Sequence, residues 1–199
     1  MNLHPLFPTP VAFFTMPRDY TNAEINFIKN LPQRSNMGNT SSENNYVLAS
    51  PELANIADFV NESVREYLAQ IYAPMRDVNL RVTQSWCNYT TPGQFHHKHE
   101  HPNSFVSGVL YIQSDPKLDR IYFYRSGYQQ LKLPTETFNP YNSESWWFEA
   151  VAGQLILFPS HLTHMVETTR SADTRISLSF NTFPVGQVGG NRELTELLL

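Results

Sequence analysis

The 199-residue sequence has little of several features, and each shortage argues against a class of protein. It contains one cysteine, Cys87, so no disulfide can form within the chain and a reducing, cytoplasmic setting is expected. Charged residues make up only 16% of the chain, and its 14 Lys and Arg are scattered, without the basic stripe that phosphate binding needs. No apolar run approaches the roughly 20 residues of a membrane-spanning helix. We therefore expect neither a nucleic-acid partner nor a membrane partner.

Apolar and aromatic residues are plentiful, at 41% and 13%, and they suffice for the core of a single domain. Residues 1–76 predict an N-terminal helical layer and a loop. Within it, "TNAEINFIKNL" has a short helical period after a Thr or Asn cap. The stretch "SPELANIADFVNESVREYLAQIY" combines a Ser cap, an early Pro and a single apolar stripe that runs to Ile71. The polar stretch between them, residues 31–45, predicts a surface loop.

From residue 77 to residue 183 the sequence changes to β-branched and aromatic segments of strand length, separated by Gly, Pro, Asn and Ser. Strands are predicted at residues 79–90, 104–113, 120–125, 128–133, 145–152, 154–159, 164–169 and 174–183. Short strands behind a helical layer indicate a mainly β fold whose core is a double-stranded β-helix of the jelly-roll or cupin type. Residues 184–199 predict a C-terminal tail, with a closing helix in "NRELTELLL".

Four of the seven histidines stand within the six residues "HHKHEH", which begin at His96. In an extended segment, side chains two residues apart point to the same face, so His99 and His101 can present both rings to one ion. Neutral imidazole is a ligand for iron, zinc, copper and nickel, and a metal therefore explains the pattern simply. His97 with His99 makes an equally good pair, and a solvated polar loop would also account for the run.

A second block, "GQLILFPSHLTHMVE", favours the metal. It reads as an apolar strand, a turn and then His164 at the start of the next strand. Arg175 follows eleven residues later, with Ser177 on the same face of "TRISLSF". An arginine and a hydroxyl that point into a barrel beside a metal indicate an anionic co-substrate, because a guanidinium can bind a carboxylate in bidentate fashion. The alternative is that Arg175 is an ordinary strand residue facing solvent.

These motifs resemble those of the Fe(II)- and 2-oxoglutarate-dependent oxygenases. The shared features are an HxH element leading into "SGVLY", a distal histidine after "LFPSHLTH", and Arg then Ser on "RISLSFN". The sequence is most similar to the small oxygenases of this superfamily found in phages and marine bacteria, whose start often reads like "LFPTPV". The resemblance spans residues 5–10 and, with gaps, residues 84–183.

The resemblance implies an oxidoreductase that uses Fe(II), 2-oxoglutarate and O2. Such a dioxygenase hydroxylates a small-molecule or peptidyl substrate, prolyl residues among the candidates, and releases succinate and CO2. The implied metal ligands are His99, His101 and His164. The residues implied to hold the distal carboxylate of 2-oxoglutarate are Arg175, Ser177 and Tyr111. Most of these oxygenases have a carboxylate at the second metal position, where this chain has His101. The sequence does not indicate an oligomeric state, and a homodimer is compatible with it.

Two other functions stay open at this point. The first cupin motif is a Gly, five residues and then HxH, and Gly93 and His99 meet this spacing. The second is a Gly, five residues, a Pro and then a His, which Gly153, Pro159 and His164 meet. A three-histidine cupin dioxygenase or isomerase would activate O2 or polarise its substrate without an oxo acid. The Glu of the first cupin motif is absent, however, and the Arg-Ser pair favours the oxo acid. A non-catalytic metal-binding jelly roll would need a closed four-ligand site, whereas three convincing ligands are present.

Overall fold

Two β-sheets and two α-helices form the fold in the computed structural model, which describes residues 1–75, 77–127, 131 and 133–199. In chain order the elements are β1 (Ala12–Thr15), α1 (Asn22–Lys29), β2 (Gln33–Asn36), β3 (Asn39–Ser42), α2 (Ala54–Tyr67), β4 (Val78–Thr90), β5 (His96–His99), β6 (Val106–Gln113), β7 (Arg120–Tyr124), β8 (Ser145–Glu149), β9 (Gln154–Pro159), β10 (His164–Val166), β11 (Arg175–Val188) and β12 (Leu197–Leu198). Among the described residues, no helix is both long and apolar enough to cross a membrane.

Both predicted helices form. α1 begins with a capping box, in which the Thr21 hydroxyl accepts a hydrogen bond from the Glu24 N–H (3.2 Å) and the Glu24 carboxylate accepts one from the Thr21 N–H (2.8 Å). α2 follows a 3-10 turn that Pro51 begins, and it continues into a π-helical turn, Leu68–Tyr72. Ile71 is 45% exposed although the predicted stripe includes it, because the wider π turn rotates it away from the core.

The two sheets enclose the first of two apolar cores. The larger sheet has the strand order β1-β9-β6-β11-β4-β3-β2, with β12 beside β11, and the smaller has the order β5-β10-β7-β8. Apolar side chains from both sheets meet between them, among them Val109, Tyr111, Ile156 and Phe158 from the larger sheet and Ile121, Phe123 and Val166 from the smaller. This is the double-stranded β-helix of the jelly-roll type, and the predicted fold class is confirmed.

The second core lies on the opposite face of the larger sheet, beneath the helices. It joins Ile28 of α1 and Ile56 and Val60 of α2 to sheet residues that include Cys87, Leu110, Leu157, Leu178 and Phe180. Alternate residues of β11 therefore serve different purposes. Leu178 and Phe180 support the helices, whereas Ser177 and Ser179 point into the space between the sheets.

The N-terminal segment contributes more strands than the sequence indicated. Residues 31–45 are not only a surface loop, because β2 and β3 pair with each other and β3 adds to β4 at the edge of the larger sheet. Residues 12–15 form a further strand, β1, beside β9. The polar hairpin carries no apolar alternation, which is the sequence signal for a half-buried strand.

The predicted C-terminal helix is wrong. β11 continues to Val188, past the predicted end at Phe183, and the chain then turns through Gly189, whose φ is 74°. The last residues pair with β11, and Gly186 and Leu199 exchange two backbone hydrogen bonds of 2.9 and 3.1 Å. A helix as short as this tail is marginal by itself, so pairing with an existing strand satisfies the backbone better. The predicted strand at residues 128–133 lies mostly outside the described residues.

Candidate metal and co-substrate site

Three histidines converge at one end of the smaller sheet. His99 is the last residue of β5 and His164 the first of β10, and the two are directly paired in register, while His101 follows shortly after β5. Each histidine contributes one ring nitrogen to a group of three, and these three nitrogens all lie within 4.8 Å of one another. The Nε2 atoms of His101 and His164 are 3.2 Å apart, with the ring planes at 7°. The structure thus brings the three histidines of the sequence motif together.

Backbone carbonyls orient two of these rings. The Nδ1 atom of His99 lies 2.7 Å from the carbonyl oxygen of His97, and that of His164 lies 2.9 Å from the carbonyl oxygen of Leu162. A carbonyl oxygen can only accept, so each Nδ1 carries the proton and each Nε2 keeps its lone pair. Both rings are therefore held in the tautomer that binds a metal through Nε2.

The ring pKa values also suit metal binding. Burial, with a smaller contribution from the neighbouring imidazoles, lowers the pKa of His101 to about 4 and that of His164 to about 3. Burial likewise lowers the pKa of His99. All three rings are neutral at pH 7, which is the state that a metal ligand requires. Neutral imidazoles with converging lone pairs fit a divalent transition metal.

His101 has a second set of contacts that the sequence did not reveal. Its ring stacks on Trp86, with centroids 5.7 Å apart and planes at 26°. A hydrogen bond with the side chain of Asn181 partly offsets the effect of burial on the pKa of His101. The Asn181 amide oxygen also accepts a hydrogen bond from the Ser107 hydroxyl at 2.9 Å. Asn181 is thus a buried polar residue that orients His101 and is itself fixed by β6.

His96 and His97 form a second set of imidazoles with His99. One nitrogen from each lies within 4.8 Å of the others, so the alternative pairing of His97 with His99 is also available geometrically. The ring of His96 stacks on that of His99 at 4.6 Å and lines the same cavity as His101 and His164. Because the Nδ1 of His99 is committed to a carbonyl, its Nε2 can serve only one of the two sets at a time.

The cavity between the sheets links the histidines to the start of β11. Its wall includes Ser177 and Ser179 beside the histidines, and an apolar part made of Val109, Ile121, Phe158 and Val166. Ser177 lies directly opposite Tyr111 of β6 in the register of the larger sheet. Arg175 lies two residues before Ser177, about 7 Å along the strand. The predicted co-substrate residues therefore extend away from the histidines along one face.

Arg175 is buried, with 3% of its surface exposed, so it does not face solvent. One part of its guanidinium is already occupied, because Nη1 donates to the Asp119 carboxylate at 3.0 Å and to the carbonyl oxygen of Glu167 at 3.4 Å. The Nη2 atom of Arg175 and the hydroxyl of Tyr111 are buried and have no hydrogen-bond partner within the described part of the chain. Nη1 is therefore committed to Asp119 and Glu167, while Nη2 remains available to a ligand.

These two unpartnered atoms fit one end of an anion. More than about 90% of buried polar groups in proteins are hydrogen-bonded, so two such atoms need an explanation. Burial raises the pKa of Tyr111 by more than the nearby Arg175 lowers it, so the pKa lies above its ordinary value. The phenol therefore stays a neutral donor at pH 7. A carboxylate oxygen would accept from both groups. Nη2 of Arg175 and the Tyr111 hydroxyl thus fit one carboxylate, and Arg175 lies on the strand whose Ser177 lines the histidine cavity.

Comparisons with known proteins agree with this arrangement. The family model described as "Putative 2OG-Fe(II) oxygenase" matches residues 84–181, a range that contains the three histidines and the Arg-Ser pair. No curated protein sequence matches the chain.

Solved structures share the fold at low sequence identity. A prolyl-4-hydroxylase from Pseudomonas putida is 16% identical over 87% of this chain and 92% of that chain, with a TM-score of 0.53. HygX from Streptomyces hygroscopicus, with nickel and 2-oxoglutarate bound, is 14% identical over 87% and 82%, with a TM-score of 0.53. A prolyl hydroxylase from Trichoplax adhaerens, in complex with a hypoxia inducible factor peptide, is 11% identical over 87% and 83%, with a TM-score of 0.58.

The structural likeness shows the fold, and the family match covers the strands on which the histidine motif and Arg175 lie. With the motifs of the sequence, these findings identify the chain as a member of the 2-oxoglutarate- and Fe(II)-dependent oxygenases.

Proposed function

We propose that this chain hydroxylates a small-molecule or peptidyl substrate as an Fe(II)- and 2-oxoglutarate-dependent dioxygenase. In this proposal the metal is held by His99, His101 and His164, and the distal carboxylate of 2-oxoglutarate by Arg175, Ser177 and Tyr111. The observation that carries the proposal is the neutral histidine cluster in a cavity whose wall leads to a buried arginine with a free Nη2. When bound, Fe(II) and 2-oxoglutarate supply the activation of O2, with succinate and CO2 as co-products.

The protein's own contribution is orientation and the exclusion of water. His99 and His164 are fixed by backbone carbonyls on paired strands, and sites on strands hold their geometry better than sites on loops. The apolar part of the wall, including Phe158 and Val166, keeps water from the side of the cavity that faces the core. Ser177 offers a hydroxyl between the two ends of the site.

His101 gives the site a ligand set without a carboxylate. Three neutral ligands leave a bound divalent metal more positive than two histidines and an acidic residue would. The dianionic co-substrate then supplies all of the negative charge that faces the metal. We therefore expect the metal and 2-oxoglutarate to strengthen each other's binding, as linkage requires when each stabilises the other.

The surface around the smaller sheet supports a peptidyl or small apolar substrate. β8 is the edge strand of that sheet, and Trp146 and Trp147 on it are 38% and 41% exposed. An unpaired strand edge can bind an extended peptide, and exposed aromatic rings add apolar contact. Among proteins with this fold, the Trichoplax enzyme binds a peptide and HygX has been solved with hygromycin B bound. A cytoplasmic location is supported by the lone, buried Cys87.

The test is to purify the protein without oxygen, add Fe(II) and 2-oxoglutarate, and record the visible spectrum and succinate formation after exposure to air. We expect a weak charge-transfer band that needs both additions, and slow uncoupled release of succinate. A protein that retains the metal but gives neither signal would contradict the proposal and favour three-histidine cupin chemistry. Omission of 2-oxoglutarate is the matched control.

A further inference from the structure

Asp119 is a buried carboxylate that belongs to none of the motifs in the sequence. It lies immediately before β7 and has 0% of its surface exposed. One carboxylate oxygen, Oδ1, accepts the hydrogen bond from Arg175, and the other, Oδ2, accepts one from the Asp115 N–H at 3.0 Å. Both oxygens are thus committed, one to the turn that precedes β7 and one to the guanidinium on β11.

The backbone around Asp119 is fixed as well. Its N–H donates to the carbonyl oxygen of Asp115 at 2.7 Å, and its own carbonyl accepts from the Ala150 N–H at 3.0 Å. Asp115 in turn caps the turn through its side chain, which accepts from the Lys117 N–H at 2.9 Å. The carboxylate therefore sits on a rigid support that joins β7 to the end of β8.

The contact with Asp119 decides which nitrogen of Arg175 is available. Nη1 is held by Asp119 and, at a longer distance, by the Glu167 carbonyl, whereas Nη2 has no partner among the described residues. Tyr111, whose hydroxyl is also unpartnered there, lies on the strand beside β11 and opposite Ser177. If Asp119 served only to neutralise a buried arginine, no free donor would need to be left, because an unsatisfied buried donor costs free energy.

We infer that Asp119 is a positioning residue for the co-substrate: it holds Nη1 of Arg175 so that the unpartnered Nη2 is presented to the distal carboxylate of 2-oxoglutarate. The inference rests on the proposed function. Asp119 does not touch the co-substrate and acts through Arg175. The distal carboxylate is then held by one guanidinium nitrogen and by hydroxyls, so its position depends on a guanidinium that cannot rotate.

The test measures binding directly, with protein loaded with Ni(II) under nitrogen and titrated calorimetrically with 2-oxoglutarate. Asp119→Asn keeps the shape and removes the charge, and we expect it to raise the Kd for 2-oxoglutarate by about tenfold or more. Asp173→Asn is the matched control, because it removes the same charge from an exposed residue two positions from Arg175. The control should change the Kd by less than about twofold.

Pyruvate provides a readout that a general structural defect would not imitate. It has the 2-oxo acid end of 2-oxoglutarate but no distal carboxylate. We therefore expect Asp119→Asn to leave the Kd values for pyruvate and for Ni(II) unchanged. The effect on 2-oxoglutarate should also vanish when Arg175→Gln is already present, because Asp119 then has nothing to position.

The outcomes separate the inference from the proposed function. If the wild-type protein binds Ni(II) but not 2-oxoglutarate, the proposed function fails. If the wild-type protein binds 2-oxoglutarate and Asp119→Asn leaves its Kd unchanged or lowers it, only the inference fails, and Asp119 is a counter-ion. Should Asp119→Asn not fold, Asp119→Glu keeps the charge and moves it by one methylene. It is expected to raise the Kd for 2-oxoglutarate but not for pyruvate.

Discussion

The two ends of the site are built in opposite ways. At the metal end, His99, His101 and His164 are neutral, and their orientation comes from backbone carbonyls and the amide of Asn181. At the co-substrate end, Arg175 and Asp119 form a fully buried ion pair, with one guanidinium nitrogen left without a partner among the described residues. One end is a set of uncharged ligands and the other holds two opposite charges.

This difference shows where the negative charge of the site lies. The usual carboxylate is missing from the ligand position that His101 occupies, and a buried carboxylate, that of Asp119, lies instead beside the arginine. A metal at the histidines would therefore keep its full charge, while the arginine's charge is already offset. We conclude that the metal end attracts an anionic co-substrate more by charge, and the arginine end more by hydrogen-bond geometry.

The largest expected effect tests the metal end. His101→Ala and His164→Ala each remove one of three ligands and should weaken Ni(II) or Fe(II) binding by more than about 100-fold. His97→Ala and His161→Ala are the matched controls, since His97 belongs to the second histidine set and His161 is exposed in the turn before His164. The measurement is metal content after dialysis, with calorimetric titration. Loss of metal in His97→Ala but not in His101→Ala would show that the other set binds it.

The next effect tests the co-substrate end. Arg175→Ala removes the guanidinium, and we expect the Kd for 2-oxoglutarate to rise at least about 30-fold while metal binding is spared, because truncating a buried charged partner costs roughly 2–5 kcal/mol. Arg170→Ala is the control, because Arg170 is exposed on the connection between β10 and β11. Calorimetry on the Ni(II)-loaded protein measures both constants. Loss of the metal in Arg175→Ala would remove the distinction between the two ends.

A pH titration of stability sharpens the same comparison. The folded-state pKa of His101, about 4, lies below its ordinary value of 6.5, so the unfolded chain binds the proton first as the pH falls. Metal-free protein should therefore lose stability between about pH 6.5 and pH 4, by roughly 3 kcal/mol from this residue. Thermal unfolding at each pH measures the slope.

His101→Asn should make that slope shallower, whereas His4→Asn, at an exposed ring near the N-terminus, should leave it as in the wild type. Bound metal should hold the rings neutral and move the loss of stability to lower pH. An unchanged slope in His101→Asn would mean that the ring is not kept neutral by burial.

The two ends also differ in how far the sequence predicted them. The histidine motif depends on local alternation and one distant strand, so the residues that converge could be named before the structure. Arg175 and Ser177 follow from strand alternation in the same way. Asp119 and Asn181 could not be predicted in this way. Asp119 pairs with an arginine 56 residues away, and Asn181 bonds to the ring of His101 on another segment. Nothing near either residue in the sequence marks such a contact.

For the fold, apolar periodicity predicted the helices and the core strands well. It failed where pairing alone stabilises a strand, as in the polar β2–β3 hairpin and in β12 at the C-terminus. In these segments the backbone hydrogen bonds to a neighbouring strand decide the structure, and the side chains carry little sign of it.

The smallest expected effect concerns Asn181, which orients His101 just as Asp119 is inferred to position Arg175. The Asn181 amide is held by the Ser107 hydroxyl and bonds to His101, so Asn181→Ala should free the ring to change tautomer and weaken metal binding by about tenfold. Binding of 2-oxoglutarate to protein saturated with metal should not change. Asn88→Ala is the matched control, because Asn88 is equally buried against β11 but donates to Ser179 at 3.1 Å. If both variants weaken the metal alike, the effect reflects general loosening of β11, and the orientation of His101 must come from its stacking on Trp86.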